Sequence, residues 1–331
     1  MGERGSPEAV LKDHFPPGSI AVPLKGDAST RRFYRIRMPG SPSGILMLYP
    51  EAFVWEGSAL EGNHRHLEAV GVPVPRIDRV FPEHGAILLE DLGDTTLQIA
   101  LDQNPALDRT SLYQEAIRLI VILQERGTRE LPGEAIARQS ALDEAKFLWE
   151  LEHTYEHFIL GYRQASPAPQ EEQLFSSFFR WLAASLGSAP RFLCHRDFQS
   201  RNLMLTPEGL RVIDYQDARM GPASYDLASL LRDSSLEVDA NLREAGIRYF
   251  LSLRAELAWE EFREEFGRQA MQRNIKDLGT FGRQVKLMGN EAYRPYIPRT
   301  LRMVRNAMLE DQRYHTVFPL FEKYVFTPAG E

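Results

Sequence analysis

The sequence predicts an α+β fold in two lobes, a small antiparallel sheet followed by a larger helical body. Three observations lead there. Up to about residue 90, short β-type runs alternate with Gly/Pro turns, and beyond about residue 95 apolar residues recur at helical spacing. That helical pattern then breaks once, between Arg191 and Ile213, into two short β-type runs around a polar loop. The expected organisation is a β-rich lobe over 1–89, a connector over 90–94 and a helical lobe over 95–331. A chain of 331 residues is long enough to fill two such lobes.

The first lobe contains five strand-like runs, 19–24, 33–38, 45–49, 76–81 and 86–90, each rich in Val, Ile, Leu, Phe or Tyr. Breakers bound them: Lys25-Gly26-Asp27, Pro39-Gly40-Ser41-Pro42, and Pro82-Glu83-His84-Gly85, which has the length and composition of a hairpin turn. One helix over about 53–70 interrupts the strands and stops at Gly71, with Pro73 and Pro75 beyond it. In the second lobe Leu148, Leu151, Tyr155 and Phe158 form one core-facing stripe. Leu174, Phe175, Phe178, Phe179, Leu182 and Leu186 form another.

Composition excludes several classes. The chain is 43% hydrophobic and 26% charged, as ordinary globular proteins are. A formal net charge of -7 argues against a nucleic-acid binder and against docking on an anionic membrane. Cys194 is the one cysteine, so neither an intrachain disulfide nor a multi-cysteine metal site exists. The charged N-terminal segment has no apolar signal-like core, and no apolar run is long enough to span a bilayer. The expectation is a soluble, cytoplasmic protein.

The polar loop carries the chemistry. It reads Cys194-His195-Arg196-Asp197-Phe198-Gln199-Ser200-Arg201-Asn202, followed by an apolar run, the turn Thr206-Pro207-Glu208-Gly209, and a second apolar run ending in Asp214-Tyr215-Gln216-Asp217. This arrangement suits phosphoryl transfer. Asp197 would orient an acceptor hydroxyl and take its proton, while the Asn202 amide oxygen and the Asp214 carboxylate would converge on Mg²⁺. Such transfer is catalysed mainly by positioning and charge neutralisation. His195 is read as structural, pointing back under the loop.

HRDFQSRN followed by VIDYQD resembles the aminoglycoside phosphotransferase and choline kinase superfamily, whose fold is protein-kinase-like. The likeness covers residues from about 20 to 235. Ser224-Tyr225-Asp226-Leu227-Ala228 resembles the segment in which an acidic residue braces the catalytic loop. The resemblance implies ATP and Mg²⁺ as cofactors. It implies a phosphate-covering turn that includes Ser29, Thr30, Arg31 and Arg32, and an interlobe hinge at Glu90, Asp91 and Leu92 whose backbone binds the adenine edge. Within the superfamily the DASTRRFYR run, Arg201, the DYQDARMGPASYDL run and the segment from Gln272 to Arg299 are similar to bacterial anomeric sugar kinases of cell-wall recycling. These act on N-acetylmuramic acid and N-acetylglucosamine at C1, so the acceptor implied is a small amino sugar.

One departure stands out. Protein kinases place a phosphate-binding lysine on the third strand, but Gly44-Ile45-Leu46-Met47-Leu48-Tyr49 contains none. Arg31 or Arg32 is expected to supply that charge, the alternative being two solvated strand-end arginines. Without such a charge the chain would be a nucleotide-binding pseudoenzyme. For the acceptor, the candidates near Asp197 are Gln199, Arg201 and Asp217, with Gln272 and Arg273 closing the pocket from a later helix or lying on an exposed helix face. An aminoglycoside pocket would instead be acidic, and Glu260, Glu261, Glu264 and Glu265 offer such a face unless they are simply solvated.

Other signals are set aside. His153-Thr154-Tyr155-Glu156-His157 matches a zinc-peptidase string, yet Glu150, Glu152 and Glu156 mark that stretch as a solvated helix face. His64 and His66 are assigned to a helix surface, and Cys194 to a small buried side chain. The C-terminal arginines Arg294, Arg299, Arg302 and Arg305 fit either an anion-attracting patch or a mixed-charge surface.

Overall fold

The computed structural model describes residues 6–24 and 31–327. Ser29 and Thr30 of the expected phosphate-covering turn lie outside the described residues. The first lobe is a five-stranded antiparallel sheet of β1 (Ile20–Pro23), β2 (Arg32–Arg37), β3 (Gly44–Leu48), β4 (Ile77–Phe81) and β5 (Ala86–Glu90), in the order β1-β2-β3-β5-β4. All five predicted strands are present, each within a residue or so of its expected limits. Side-chain alternation sorts the faces. Leu46, Leu48, Ala86 and Leu88 point to a core with Val10, Ile36 and Phe81. Met47 and Ile87 point the opposite way, into the core shared with the helical lobe.

Each face has its helix. On the outer face lies α1 (Pro7–His14), capped by Ser6, whose Oγ accepts from the Ala9 N–H at 3.2 Å. Its charged sequence concealed it, since Val10 is its only buried large apolar residue. On the inner face lies α2 (Ala59–Ala69), which is shorter than the 53–70 helix expected. Ser58 ends it at the N-terminal side by accepting from the Glu61 N–H at 3.2 Å. Before that cap the chain is extended and irregular. The Phe53 N–H donates to Pro82 O at 3.2 Å, and Phe53 and Trp55 pack as loop residues against the core. The 82–85 segment turns the hairpin with Gly85 at φ 65°, and a Cβ there would collide with the Glu51 carbonyl.

The rest is mainly helical. The Glu144–Thr154 helix runs into a π-helical segment Tyr155–Tyr162, and both lie against the long Trp259–Lys286 helix. Gly279 allows the approach, because a Cβ would strike Thr154. Thr154 Oγ1 donates across the contact to Ile275 O at 2.9 Å. Two small antiparallel pairs are set among the helices: β6 (Arg191–Cys194) with β9 (Arg219–Pro222), and β7 (Leu203–Thr206) with β8 (Gly209–Val212). The single hairpin expected is therefore two ribbons, with β9 the strand that polar Arg219 and Gly221-Pro222 hid. Among the described residues no helix is long and apolar enough to cross a membrane.

Candidate active site

The loop from β6 to β7 is fixed from beneath. Arg196 sits at φ 84°, a conformation costly for a residue with a side chain. Asp226 holds it there, accepting from the His195 N–H at 2.7 Å and the Arg196 N–H at 3.0 Å. Burial raises the Asp226 carboxyl to about 6, against the pull of His195 and these backbone donors. His195 is buried and lies below the loop as expected. Its Nδ1 accepts from the Asp197 N–H at 3.2 Å, which leaves Nε2 as the donor to Ile213 O at 2.9 Å. One imidazole thus spaces the Asp197 loop from the strand end that carries Asp214. A second acid, Asp233, accepts from the Ser200 N–H at 2.9 Å and the Ser200 Oγ at 2.6 Å.

On this frame Asp197, Asn202 and Asp214 are brought together. Asn202 Nδ2 donates to Asp197 O at 2.8 Å, and the Ile213 N–H donates to Asn202 O at 3.0 Å. With its amide nitrogen committed, Asn202 has its side-chain oxygen as the free ligand atom. Asp214, at φ 65°, accepts from Arg31 Nη2 and from Gln216 Nε2, both at 3.0 Å and both on Oδ1. An amide oxygen and a carboxylate on adjacent strand ends fit a hard divalent cation, which takes oxygen ligands.

Arg31 lies beside the strand that lacks the lysine. It enters from the start of β2, its Nη1 lies 3.8 Å from Met47 Sδ on β3, and Nη2 bridges to Asp214. Arg32 is exposed on β2. At the connector the Asp91 carboxylate accepts from Arg35 Nε at 2.7 Å and from Ser43 Oγ at 2.6 Å, and both Glu90 oxygens accept from Arg211 at 3.1 Å. Glu90 and Asp91 side chains therefore brace the segment that leads on to Leu92.

Gln272 and Arg273 are not on an exposed helix face: both are buried. Arg273 Nη1 donates to Arg196 O at 2.8 Å, and lies 3.0 Å from Tyr225 Oη and 3.3 Å from Asp197 Oδ1. Lys276 Nζ lies 3.4 Å from the same Asp197 oxygen. Burial pushes the Asp197 carboxyl up, but Lys276, Arg273, Arg196 and His195 together hold it well below the usual carboxylate range. Gln272 Nε2 donates to Glu150 Oε2 at 2.8 Å, so Glu150 is a buried partner of this helix and not the solvated acid expected. Asp217 is held between Arg196 at 3.3 Å and Arg219 at 3.7 Å. Gln199 is buried in the loop, and Arg201 lies half-buried in the following turn.

Several contributors escaped the sequence reading. Lys146 lies among Glu150, Arg196, Arg219 and Lys276, and burial with these neighbouring cations lowers its ammonium pKa while Glu150 opposes them. Asn63 of α2 donates to Tyr215 O at 3.2 Å and Gln216 O at 3.0 Å. His64 is buried within 2.8 Å of Tyr215 Oη, which corrects its assignment to a surface. The spacing of α2 residues held no signal for contacts made about 150 positions away. His153 and His157 lie edge to face, and among the described residues they join no metal-binding group.

Residues 20–264 match the model of the phosphotransferase enzyme family, and the chain belongs to that family. An N-acetylmuramate/N-acetylglucosamine kinase of Neisseria meningitidis is 33% identical over 302 residues, covering 89% of this chain and 86% of the relative. One from Pseudomonas aeruginosa is 27% identical over 305 residues, with 88% and 85% covered. The fold matches choline kinase of Cryptosporidium parvum with a TM-score of 0.63 at 12% identity, covering 96% of this chain and 98% of that one. It also matches an amicoumacin kinase bound to AMP-PNP and Ca²⁺, with a TM-score of 0.58 at 17% identity and 92% and 93% covered. The protein is a phosphotransferase of protein-kinase-like fold, and its family implies ATP and a divalent metal.

Proposed function

We propose that this chain transfers the γ-phosphate of ATP, with Mg²⁺, to the anomeric hydroxyl of an N-acetylated amino sugar, N-acetylmuramic acid above all. In this reading 1–89 is the nucleotide lobe, 90–94 the hinge and 95–331 the acceptor lobe. An ATP-dependent reaction of this kind belongs in the cytoplasm. Asp197 orients the acceptor hydroxyl and receives its proton as the new P–O bond forms. A strongly ionised carboxylate suits a loose transition state, in which the proton leaves late and little basicity is needed. Asn202 and Asp214 would hold the Mg²⁺ ion, whose chemistry is to neutralise phosphate charge. Arg31 supplies the second cation over the phosphates.

The observation that carries the acceptor reading is the charge around Asp197. Lys146, Arg196, Arg219, Arg273 and Lys276 form a cation-rich wall around Asp197, Glu150 and Asp217, with Asp226 and Asp277 buried behind Arg273. Such a wall attracts the lactyl carboxylate of N-acetylmuramic acid and repels an aminoglycoside's ammonium groups. Of the acidic face considered for aminoglycosides, Glu265 accepts from Ser224 and Glu264 pairs with Arg268 and Arg313, while Glu260 and Glu261 are exposed. Among the described residues, Glu150 Oε1 and Gln199 Oε1 are buried without a hydrogen-bond partner.

The test is ADP release from ATP and Mg²⁺ with N-acetylmuramic acid, N-acetylglucosamine, choline and kanamycin, with Asp197→Asn as control. Turnover on the N-acetylated sugars, strongest on the muramic acid and lost in the variant, is expected. Turnover on kanamycin or choline alone would overturn the acceptor reading.

A further inference from the structure

On the sheet face away from the catalytic loop, two histidines and two carboxylates converge. α1 ends in Asp13-His14, and the turn between β4 and β5 carries Glu83-His84. His14 Nε2 lies 3.2 Å from Glu83 Oε1, while His84 Nε2 lies 3.9 Å from that same oxygen and 3.3 Å from Asp13 Oδ2. One donor atom each from His14, Glu83 and His84 falls within 4.8 Å of the others.

Bonds of 2.0–2.2 Å around a tetrahedral zinc ion put neighbouring donor atoms about 3.3–3.5 Å apart. The His14–Glu83 separation of 3.2 Å already sits within about 0.1 Å of that span, and the 3.9 Å gap from Glu83 to His84 must close by about 0.5 Å. The donor chemistry is selective as well. Two imidazole nitrogens suit zinc, whereas the catalytic loop offers only the oxygen ligands that magnesium prefers. The Glu83 carboxylate, with Asp13 beside His84 at 3.3 Å, offsets the charge of a divalent ion.

The imidazoles are also held in place by apolar packing. The His14 ring centroid lies 4.6 Å from that of Phe81 and 5.2 Å from that of His84, the two imidazoles standing edge to face. Arg79 is the nearby cation, lying over Phe81 and donating to His14 O at 3.2 Å, so it braces the backbone of the site.

We infer that His14, Glu83 and His84 form a zinc site, with Asp13 beside His84 and the fourth position open to water, that clamps α1 to the β4–β5 hairpin. A helix of eight residues has little stability of its own. The clamp joins segments 69 residues apart and secures the helix that covers the outer core through Val10. It takes no part in phosphoryl transfer.

The experiment uses the full chain, stripped with chelator and held in excess MgCl₂ to occupy the oxygen-ligand site. Zinc uptake is counted by mass spectrometry, and ZnCl₂-dependent melting is followed for wild type, His14→Gln and Glu83→Gln. Wild type should take up one zinc per chain, with Tm rising by about 4 °C at a hundredfold excess over Kd. Cobalt in place of zinc should give the visible absorption of tetrahedral coordination. His14→Gln should lose the uptake and the shift. Glu83→Gln, altered at an exposed side chain that leaves folding intact, should bind at least about tenfold more weakly. Wild type that takes up no zinc overturns the inference. So do variants that match wild type in stoichiometry and melting shift, since the cluster is then a set of surface ion pairs.

Discussion

Replacing Arg273 with methionine tests whether a buried cation, not substrate, sets the geometry of Asp197. The guanidinium Nη1 meets Arg196 O at 2.8 Å, Tyr225 Oη at 3.0 Å and Asp197 Oδ1 at 3.3 Å. Nη2 lies 3.4 Å from Asp197 Oδ1. Hydrogen bonds to charged groups contribute about 1.5–3 kcal/mol each, and the long Asp197 contacts belong at the lower end. Removing both of these contacts amounts to about 3 kcal/mol of lost positioning, or about a 150-fold fall in kcat. Leaving Asp197 with Lys276 as its remaining close cation should also cost about 3–5 kcal/mol of stability, a Tm drop of about 4–7 °C for a chain of this length. Arg273→Lys keeps one ammonium near the Nη1 position and should recover part of both losses. Steady-state kinetics with melting curves separates the effects, because KM for ATP should stay unchanged. A methionine variant that retains kcat within threefold while its Tm falls would refute the reasoning and leave Arg273 a purely structural residue.

Two further predictions follow from the other charges at the site. Arg31→Ala removes the cation that bridges to Asp214, so KM for ATP should rise about tenfold or more, while Arg32→Ala on the exposed strand position should have the smaller effect; nucleotide titration of both variants decides, and equal effects would remove Arg31 from its role. Burial raises the Asp226 carboxyl to about 6, above its unfolded value, so the folded state binds a proton that the unfolded state releases. Its contribution to stability therefore falls as pH rises from about 4 to about 6. Protonation below about 6 weakens its grip on the His195 and Arg196 N–H groups, so kcat should show an acid limb there, although Asp197 stays ionised far below that pH. Profiles of kcat at saturating substrates for wild type and Asp226→Asn check this, and a wild-type plateau that extends to pH 5 would contradict it.

How much of this was legible depended on the kind of signal involved. The strands were legible because alternation on β3 and β5 reports two buried faces directly. The grouping of His195, Asp197, Asn202 and Asp214 was legible because all four lie within one short loop and ribbon. α1 was not, since a single buried valine in a charged stretch gives no periodicity. Glu150 and Gln272 failed for another reason. Periodicity separates apolar from polar positions, but it does not tell a polar side chain that faces water from one that faces a buried partner 122 residues away. Arg273 was legible as a pocket candidate, yet its function as the counter-charge of Asp197 emerges only when the two helices and the catalytic loop are packed together.

The missing lysine shows what the family fold constrains. Phosphoryl transfer needs positive charge at a place in the cleft, and the strand that delivers it is secondary. β3 carries Met47 where its inner face meets the shared core, and that thioether becomes a contact for the Arg31 guanidinium arriving from the neighbouring strand. Arginine has the reach and the planar donor fork for this, and it cannot lose its charge when partly buried. Because Arg31 pairs with Asp214, a C-lobe carboxylate is already tied to an N-lobe cation before nucleotide enters. On the proposed function, nucleotide phosphate would compete with Asp214 for that guanidinium and so free the carboxylate to hold the metal. Binding of the two would then be coupled through one side chain, an exchange that a lysine fixed on β3 by a helix glutamate would not provide.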